Sequence, residues 1–326
     1  MKLKIQTTLL FLFISLSAFS QKFQVIDALA KTPVSFATIS FGDGRGTFAG
    51  EDGVFDFEQK KYADIDSLHI SAIGFKEQAF STSNIPPSIA LMPEASQLSE
   101  VIVTAPRRGK FKTKKLKAVT HSDIHTSWLP TVESEVAVLF KRYEEKSTRI
   151  ATLKIPINAE TQYQSKGKGK YATIFRIQFY DNEQGAPGKP IVHEKIVFAI
   201  DQEAEKVFEL DIQAKQIFIP ENGVFASIQV LGYANNEGKL AQSKKYREVK
   251  TRRGIKKIST AFRPLLPFTN QLSSQKTYVR RIFLNNRKWQ VFDKTYNENS
   301  NLIKSGSRNY GMGATMHVFE DKDNKK

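Results

Sequence analysis

The chain has 326 residues, of which 40% are hydrophobic and 25% are charged, a balance typical of globular domains rather than of disordered chains. It contains no cysteine, which excludes disulfide bonds and a lipidated cysteine at a cleavage site. Residues 21–106 carry a net charge of −5 and the first twenty residues carry +2, so the remaining 220 carry +19 and the total is +16. This asymmetry predicts two domains, the second suited to anionic surroundings.

The first twenty residues have the pattern of a signal peptide. Lys2 and Lys4 precede an apolar stretch that is too short for a transmembrane helix, which needs ~20 apolar residues. Ala18-Phe19-Ser20 forms a small-x-small cleavage site. We therefore expect cleavage before Gln21 and export to the periplasm, the outer-membrane surface or the extracellular space, with no transmembrane segment in the mature chain.

Residues 21–105 alternate apolar and polar positions in short segments about ten residues apart, which predicts a β-sandwich. The candidate strands lie around Phe23–Val25, Val34–Ile39, Thr47–Phe48, Val54–Phe57, Ser67–Ala72, Ile89–Leu91 and Val101–Val103. Glu51-Asp52-Gly53 is a hairpin signal, because an Asp-Gly pair readily adopts the positive φ of a tight turn.

Five pieces of this region resemble the carboxypeptidase-regulatory-like module, a transthyretin-like sandwich common in secreted Bacteroidetes proteins. They are VIDALAKTPVSFATI, GTFAGEDGVFDF, DSLHISAIGFK, SIALMP and LSEVIVTAP, in the order of the family. The resemblance implies a seven-stranded, prealbumin-like fold that serves as a folded spacer or regulatory module and has no catalytic activity of its own. The grouping of that fold with carbohydrate-binding-like sandwiches says little about sugar affinity.

Residues 106–130 are strongly basic and are predicted to form a solvated interdomain linker, with an anion-binding arm as the alternative. The basic residues are Arg107, Arg108, Lys110, Lys112, Lys114, Lys115 and Lys117. Immediately after this segment, Val132–Tyr143 fits a helix through its apolar spacing and fits a strand over Glu135–Phe140 equally well. We favour the strand, because β-type segments follow.

Residues 131–326 are predicted to form a second and larger β-domain of eight to ten strands. Tyr171–Tyr180 alternates most clearly, and Asp181–Pro190 has the composition of a turn-rich loop. The pieces FRIQFYDNEQGAPGKPIVHEKIVF, FELDIQAKQIFIPENGVFASIQVLGY, KWQVF and YGMGATM resemble a jelly-roll-like sandwich of Bacteroidetes envelope proteins. The fold class expected for the whole chain is therefore all-β.

Motifs for catalysis or for metal binding are weak throughout the chain. His121 and His125 flank Asp123 with a spacing that could bind a metal on a helix, but no helix signal surrounds them, and exposed linker residues are the favoured interpretation. Asp181–Gly185 could offer oxygen ligands to Ca²⁺ but lacks the EF-hand spacing, which favours a plain hairpin loop. The sequence has no nucleophile elbow, His-Glu-x-x-His or P-loop. We expect no cofactor, no metal and no enzymatic activity.

A second basic run offers the only candidate binding residues, for an anionic partner. The run comprises Lys244, Lys245, Arg247, Lys250, Arg252, Arg253, Lys256 and Lys257. Nucleic acid is not the expected partner, because only Tyr246 could stack on bases and the protein is expected to be exported. An anionic glycan, a lipopolysaccharide surface or an envelope protein fits better, and a solvated loop is the simplest interpretation.

Two functions therefore remain open from the sequence. The first is a non-catalytic accessory or binding protein of the cell envelope, which binds carbohydrate or an anionic surface. The second is a hydrolase whose site in the C-terminal β-domain is assembled from residues distant in sequence. A deep pocket with converging carboxylates or histidines would favour the hydrolase, and a basic face with exposed aromatic side chains would favour the binding protein.

Overall fold

The computed structural model describes residues 21–94, 110–160, 170–191, 195–241, 245–252, 254–272, 275–284 and 286–320. These residues form an all-β protein, as predicted, with two four-residue helices, α1 (Lys294–Asn297) and α2 (Asn301–Lys304). The expected signal peptide and the expected strand Val101–Val103 lie outside the described residues. In the part that is described, no helix has the length and apolarity needed to cross a membrane.

The first sandwich contains seven strands in two sheets. The strands are β1 (Lys22–Asp27), β2 (Thr38–Ser40), β3 (Gly46–Phe48), β4 (Val54–Asp56), β5 (Ser67–Ser71), β6 (Gln78–Ser81) and β7 (Ser88–Leu91). One sheet has the order β4-β1-β7 and the other β3-β2-β5-β6. Alternating burial drives this packing: Leu68 and Ile70 of β5 are buried between half-buried polar neighbours. Phe23 and Phe55 stack at 5.5 Å between ring centroids in the core.

The turn at Glu51-Asp52-Gly53 forms as predicted, but the hairpin that it was expected to close does not. Gly53 adopts φ 73°, and the Asp52 side chain accepts a hydrogen bond from the amide of Val54 at 3.0 Å. The flanking strands separate, because β3 pairs with β2 whereas β4 pairs with β1. The turn therefore carries the chain from one sheet to the other, and Phe55 enters the core between them.

The second sandwich packs a seven-stranded sheet against a five-stranded one. Its strands are β8 (Phe111–Leu116), β9 (Ser127–Trp128), β10 (Ser134–Phe140), β11 (Thr148–Pro156), β12 (Ala172–Glu183), β13 (Ala186–Pro190), β14 (Ile196–Asp201), β15 (Val207–Asp211), β16 (Ile217–Phe218), β17 (Val224–Tyr233), β18 (Tyr246–Thr251), β19 (Gly254–Ser259), β20 (Leu266–Thr269), β21 (Thr277–Arg281), β22 (Gln290–Val291), β23 (Asn309–Tyr310) and β24 (Gly313–Phe319). The large sheet has the order β13-β12-β17-β10-β21-β22, with β14 also beside β12. The smaller sheet has the order β15-β11-β24-β8, with β16 beside β11.

Part of the basic segment predicted as a solvated linker is a strand. Phe111–Leu116 forms β8 and pairs antiparallel with β24 along its whole length, Phe111 opposite Phe319 and Leu116 opposite Ala314. The lysines of β8 occupy an edge strand, where charged side chains can reach water while the backbone completes the sheet. The linker interpretation is therefore wrong for residues 111–116, and Arg107 and Arg108 lie outside the described residues.

Two other choices made from the sequence are resolved by pairing in the large sheet. The segment 134–140 is the strand β10, between β17 and β21, which confirms the strand over the helix. The expected loop Asp181–Pro190 is a tight hairpin instead. Strands β12 and β13 extend to Glu183 and from Ala186, and only Gln184-Gly185 with φ of 52° and 90° connects them.

The two sandwiches are joined by an interface with its own apolar anchor. Phe48 of β3 is fully buried in the core of the second sandwich, 5.4 Å from the ring of Phe283. The Tyr246 hydroxyl accepts a hydrogen bond from the amide of Gly46 at 2.6 Å and donates to its carbonyl at 3.1 Å. The hydroxyl of Ser40 donates to the carbonyl of Phe283 at 2.6 Å. One face of the large sheet is therefore held against the first sandwich.

Candidate functional site

A groove of about 790 Å³ opens at one end of the second sandwich, beside the edge strand β8. Residues of β8, the end of β10 and the start of β21 line it, so it is built from both sheets. The charged side chains among the described lining residues are Lys114, Lys115, Lys141, Arg142 and Lys276, all of them cationic. We call this the basic groove. Its volume lies in the range of small-molecule sites, about 300–1,000 Å³.

Aromatic side chains accompany these cations in the basic groove. The ammonium of Lys114 lies 4.5 Å from the centre of the Tyr143 ring, a cation–π distance. A hydrogen bond to Tyr143 raises the pKa of Lys114 above its ordinary value, so this lysine is fully charged at neutral pH. Tyr278 donates from its hydroxyl to the carbonyl of Gly185 at 2.7 Å, which fixes the β12–β13 turn beside the groove.

One cation of the groove is held rigidly. Arg142 donates from Nε to the carbonyl of Ile219 at 2.8 Å, and its Nη1 lies 3.4 Å from the carboxylate of Glu221. Because Glu221 is almost fully exposed, this ion pair is screened by solvent and leaves most of the guanidinium charge effective. The groove thus combines an anchored arginine and four lysines with aromatic surface.

The sequence-predicted binding residues occupy a different place, the hairpin β18–β19. The structure brings Tyr246 opposite Ser259 and Thr251 opposite Gly254 in this hairpin. The side chains of Arg247, Lys250, Arg252 and Lys256 are exposed on it, whereas Lys244 and Arg253 lie outside the described residues. The structure therefore gathers four of the eight predicted cations on an exposed hairpin and places none of them in the lining of the basic groove.

Two of the predicted cations are turned away from the surface that an external partner could reach. Lys245 is 5% exposed, and its ammonium has no hydrogen-bond partner among the described residues. Burial lowers the pKa of Lys245 to about 8. Lys257 turns towards the first sandwich, where its ammonium lies 4.5 Å from the centre of the Tyr62 ring and 3.9 Å from Asp64. Lys245 and Lys257 therefore point away from an external partner, and binding by the remaining cations of the run stays a prediction.

In the segment predicted as a weak metal candidate, the side chains of His121 and Asp123 make local structural contacts. The Nε2 of His121 lies 2.6 Å from the carbonyl of Phe268. Asp123 accepts hydrogen bonds from the hydroxyl of Thr126 at 2.8 Å and from the amide of His125 at 2.9 Å, which lower the pKa of this carboxyl below its usual range. Within the described ranges, no group of three or more potential metal ligands is found.

The possible calcium loop at Asp181–Gly185 is occupied by hairpin contacts. Asp181 accepts a hydrogen bond from the amide of Lys189 at 2.6 Å, and Asn182 accepts one from Gly185 at 2.9 Å. These side-chain oxygens stabilise the β12–β13 connection, in agreement with the favoured interpretation of a plain hairpin.

A row of polar side chains crosses the large sheet on the face turned away from its apolar core. Register places Arg176 of β12 opposite Gln229 of β17, Gln229 opposite Glu135 of β10, and Glu135 opposite Arg280 of β21. The first sandwich covers this face, so Gln229 and Glu135 are buried and both arginines are partly buried. We call these four residues the polar row. The sequence contains a signal for the polar row, because Arg176 follows the core residue Phe175 in β12 and neighbouring residues of a strand point to opposite faces.

Glu135 is the only carboxylate of the polar row. It lies 2.7 Å from Nε of Arg280, and it accepts hydrogen bonds from the hydroxyls of Tyr180 at 2.8 Å and Ser227 at 2.5 Å. Burial alone would raise the pKa of Glu135, but the charge of Arg280 and these hydrogen bonds outweigh burial and hold the pKa below its ordinary value. Burial raises the pKa of Tyr180 well above its usual range, so the phenol remains a neutral donor.

Comparisons with known proteins provide no family assignment for the chain. No family model matches it, and no curated protein matches it. Among solved structures, one similar chain is described as the cysteine protease and lectin-like domains of Cwp84, a surface layer associated protein of Clostridium difficile. The identity is 12% and the TM-score 0.32, and the similarity covers 64% of this chain and 36% of the other. The structure itself shows two main features, an all-β fold of two sandwiches and a basic groove in the second sandwich.

Proposed function

We propose that this protein is a non-catalytic binding protein of the cell envelope that holds an acidic polysaccharide in the basic groove. The observation that carries the proposal is the composition of the groove: five cations and no carboxylate among its described charged lining residues. Carboxylate or sulfate groups along a polysaccharide would pair with these cations, and its sugar rings would lie against Tyr143 and Tyr278. The predicted signal peptide and the resemblance of residues 21–105 to a regulatory module support a location in the envelope.

The hydrolase alternative has no comparable support in this groove. Hydrolysis of a glycosidic bond usually needs a pair of carboxylates, one as acid and one as base or nucleophile. None of the described residues that line the basic groove carries a carboxylate or an imidazole. The groove is thus chemically suited to holding an anionic chain, and a hydrolase would need another site.

The test compares two variants that remove the same charge from different places. In the groove variant, Lys114, Lys141 and Lys276 are changed to Gln; in the hairpin variant, Arg247, Lys250 and Lys256 are changed to Gln. All six side chains belong to described residues, and the hairpin residues are exposed. Retention on immobilised heparin and alginate is measured over a salt gradient, beside thermal melts, with neutral dextran as the control matrix.

We expect the groove variant to elute at clearly lower salt than the wild type while its melting temperature is unchanged, because exposed charges bind polyanions in a salt-dependent way. The hairpin variant should elute close to the wild type. If the hairpin variant loses retention and the groove variant does not, the groove proposal is wrong and the sequence-predicted run is the binding surface. Unchanged retention of both variants would remove both surfaces from the function.

A further inference from the structure

A second cavity lies between the two sandwiches, separate from the basic groove. Its volume is about 270 Å³. The first sandwich contributes residues around Phe36 and Phe75, and the second contributes Arg176 and Arg280 from the polar row together with Lys195. At ~30 Å³ for each water molecule, this space corresponds to about nine waters, enough for a small organic acid or an inorganic oxyanion. We call it the interdomain cavity.

The positive charges at the wall of this cavity exceed the negative charges that neutralise them. Glu135 pairs with Arg280 at 2.7 Å, which leaves the charge of Arg176 without a carboxylate partner of its own. Arg176 donates to the side-chain carbonyl of Gln229 from Nε at 3.1 Å and from Nη2 at 2.5 Å, and its Nη1 donates to the carbonyl of Phe36 at 3.4 Å. Both acceptors are neutral, and no described residue forms an ion pair with Arg176 within 4.0 Å.

Desolvation makes this excess charge costly. Arg176 lies between the two sandwiches, and desolvation lowers its pKa, although the nearby charge of Glu135 opposes the effect. Lys195 is exposed at the rim of the cavity, yet desolvation together with the charge of Arg176 lowers its pKa as well. A buried charge is stable when a counter-charge with hydrogen-bonding oxygens accompanies it. Within the described part of the wall, the two carboxylates Glu77 and Glu94 belong to the first sandwich.

Among the described residues, neither of these two carboxylates pairs with Arg176 or Lys195. Glu77 lies 2.6 Å from Nη2 of Arg287 and 3.5 Å from Nδ1 of His69, so its oxygens are already occupied. Glu94 is an exposed residue. Arg287 has in addition a buried Nε with no hydrogen-bond partner among the described residues. The wall therefore holds both uncompensated charge and an unused donor.

We propose that the interdomain cavity binds a small oxyanion, a molecule with a carboxylate, phosphate or sulfate group held by Arg176 and Lys195. Gln229 occupies the Nε–Nη2 edge of Arg176, so the donors left for such a group are one N–H on Nη1, one on Nη2 and the ammonium of Lys195. Because the wall comes from both sandwiches, the bound oxyanion stabilises their association. The site is distinct from the basic groove and does not depend on the function proposed for it.

The experiment measures binding to the full chain by titration calorimetry and by thermal melts in chloride buffers of constant ionic strength. The probes are inorganic phosphate, sulfate and glucuronate, and glucose is the neutral control. We expect at least one oxyanion to bind saturably and to raise the melting temperature in proportion to the logarithm of its concentration, and glucose to have no effect. The affinity for phosphate or sulfate, compared with the affinity for glucuronate, then distinguishes an inorganic oxyanion from a sugar acid.

Three variants locate the binding. Arg176→Gln keeps hydrogen-bonding capacity but removes the unpaired charge, and it should weaken the affinity by at least about tenfold, equivalent to 1.4 kcal/mol. Lys195→Gln, at an exposed position that tolerates substitution, should also weaken the affinity. The groove variant should bind the oxyanion as the wild type does. The proposal is overturned if no probe binds, or if Arg176→Gln and Lys195→Gln bind as well as the wild type. Loss of binding in the groove variant alone would also overturn it.

Discussion

Lys245 illustrates how a single residue can belong to a basic run and yet contribute nothing to a basic surface. It lies next to Tyr246, which anchors the hairpin to the first sandwich, but its own side chain is buried beside Gly232 of β17. Its ammonium is buried without a hydrogen-bond partner among the described residues. The sequence shows the charge of Lys245 but not its burial, because the tertiary fold sets the approach of the hairpin to β17 and to the first sandwich.

Replacing Lys245 with Met should stabilise the protein at pH 7. Burial lowers the pKa of Lys245 to about 8 in the folded state, whereas the unfolded lysine titrates near ~10.4. Below pH 8 both states hold the proton, and the folded state bears the full cost of the buried charge. We expect Lys245→Met to raise the free energy of unfolding by about 1–3 kcal/mol at pH 7, since methionine keeps the length of the side chain without its charge.

The pH dependence separates this explanation from a gain in packing. As the pH rises from 8 to ~10.4, the folded wild type has lost the proton while the unfolded chain still binds it, so the wild type gains stability. The advantage of Lys245→Met should therefore shrink across this range in urea unfolding curves measured at pH 7 and pH 10. An exposed control, Lys250→Met, should change stability little at either pH. An advantage of Lys245→Met that is equal at both pH values would contradict the buried-charge explanation.

At the scale of elements, the turn Asp52-Gly53 shows how a local signal can be correct while the pairing inferred from it is wrong. The Asp-Gly pair predicts a positive φ, which Gly53 adopts. The sequence does not say which strands pair on either side, because pairing depends on contacts between β1 and both β4 and β7. Local chemistry fixes a turn, whereas sheet assignment is a long-range property.

Gly53→Val should destabilise the first sandwich through both strain and collision. A Cβ atom at Gly53 would lie 2.5 Å from the backbone carbonyl of Val25, which cannot move without disturbing β1. Gly238 is the matched control, since its φ of 76° is nearly the same but a Cβ added there would meet no atom within 4 Å. We expect Gly238→Val to cost about 1–2 kcal/mol from backbone strain alone, and Gly53→Val to cost clearly more. Equal losses in urea unfolding would show that the contact with Val25 is unimportant.

The basic groove was harder to predict than the strands. The alternation in β12 and the apolar run in β10 mark both strands in the sequence. Lys114 and Lys115 were visible only as part of a basic run, because alternation is weak in β8, an edge strand with mostly exposed residues. Their approach to Lys141 and Lys276 depends on the pairing of β8 with β24, the first and last strands of the second sandwich. The approach of side chains from segments far apart in the sequence produces no periodic pattern from which it could be predicted.

At the scale of the whole molecule, the interface makes the two sandwiches depend on each other. Phe48 belongs to the first sandwich by sequence but lies in the core of the second, against the ring of Phe283. The guanidinium carbon of Arg176 lies 5.5 Å from the centre of the Phe48 ring. The net charges of the two regions have opposite signs, and ion pairs such as Lys257–Asp64 and Arg287–Glu77 cross the boundary. The charge asymmetry in the sequence therefore has a structural role in addition to any role in binding.

Phe48→Ala should uncouple the two sandwiches. Phe48 and Phe23 are both almost fully buried, but Phe23 stacks on Phe55 inside the first sandwich and Phe48 fills the interface. Each substitution to Ala should cost about 3–5 kcal/mol, because a large cavity remains. By scanning calorimetry we expect one cooperative transition for the wild type and one, at lower temperature, for Phe23→Ala. For Phe48→Ala we expect two transitions, since the remaining contacts are too weak to couple the units. These are the hydrogen bonds of Tyr246 and Ser40 and solvent-screened ion pairs such as Lys257–Asp64 and Arg287–Glu77. A single transition in Phe48→Ala, or two in the wild type, would show that the coupling does not depend on this side chain.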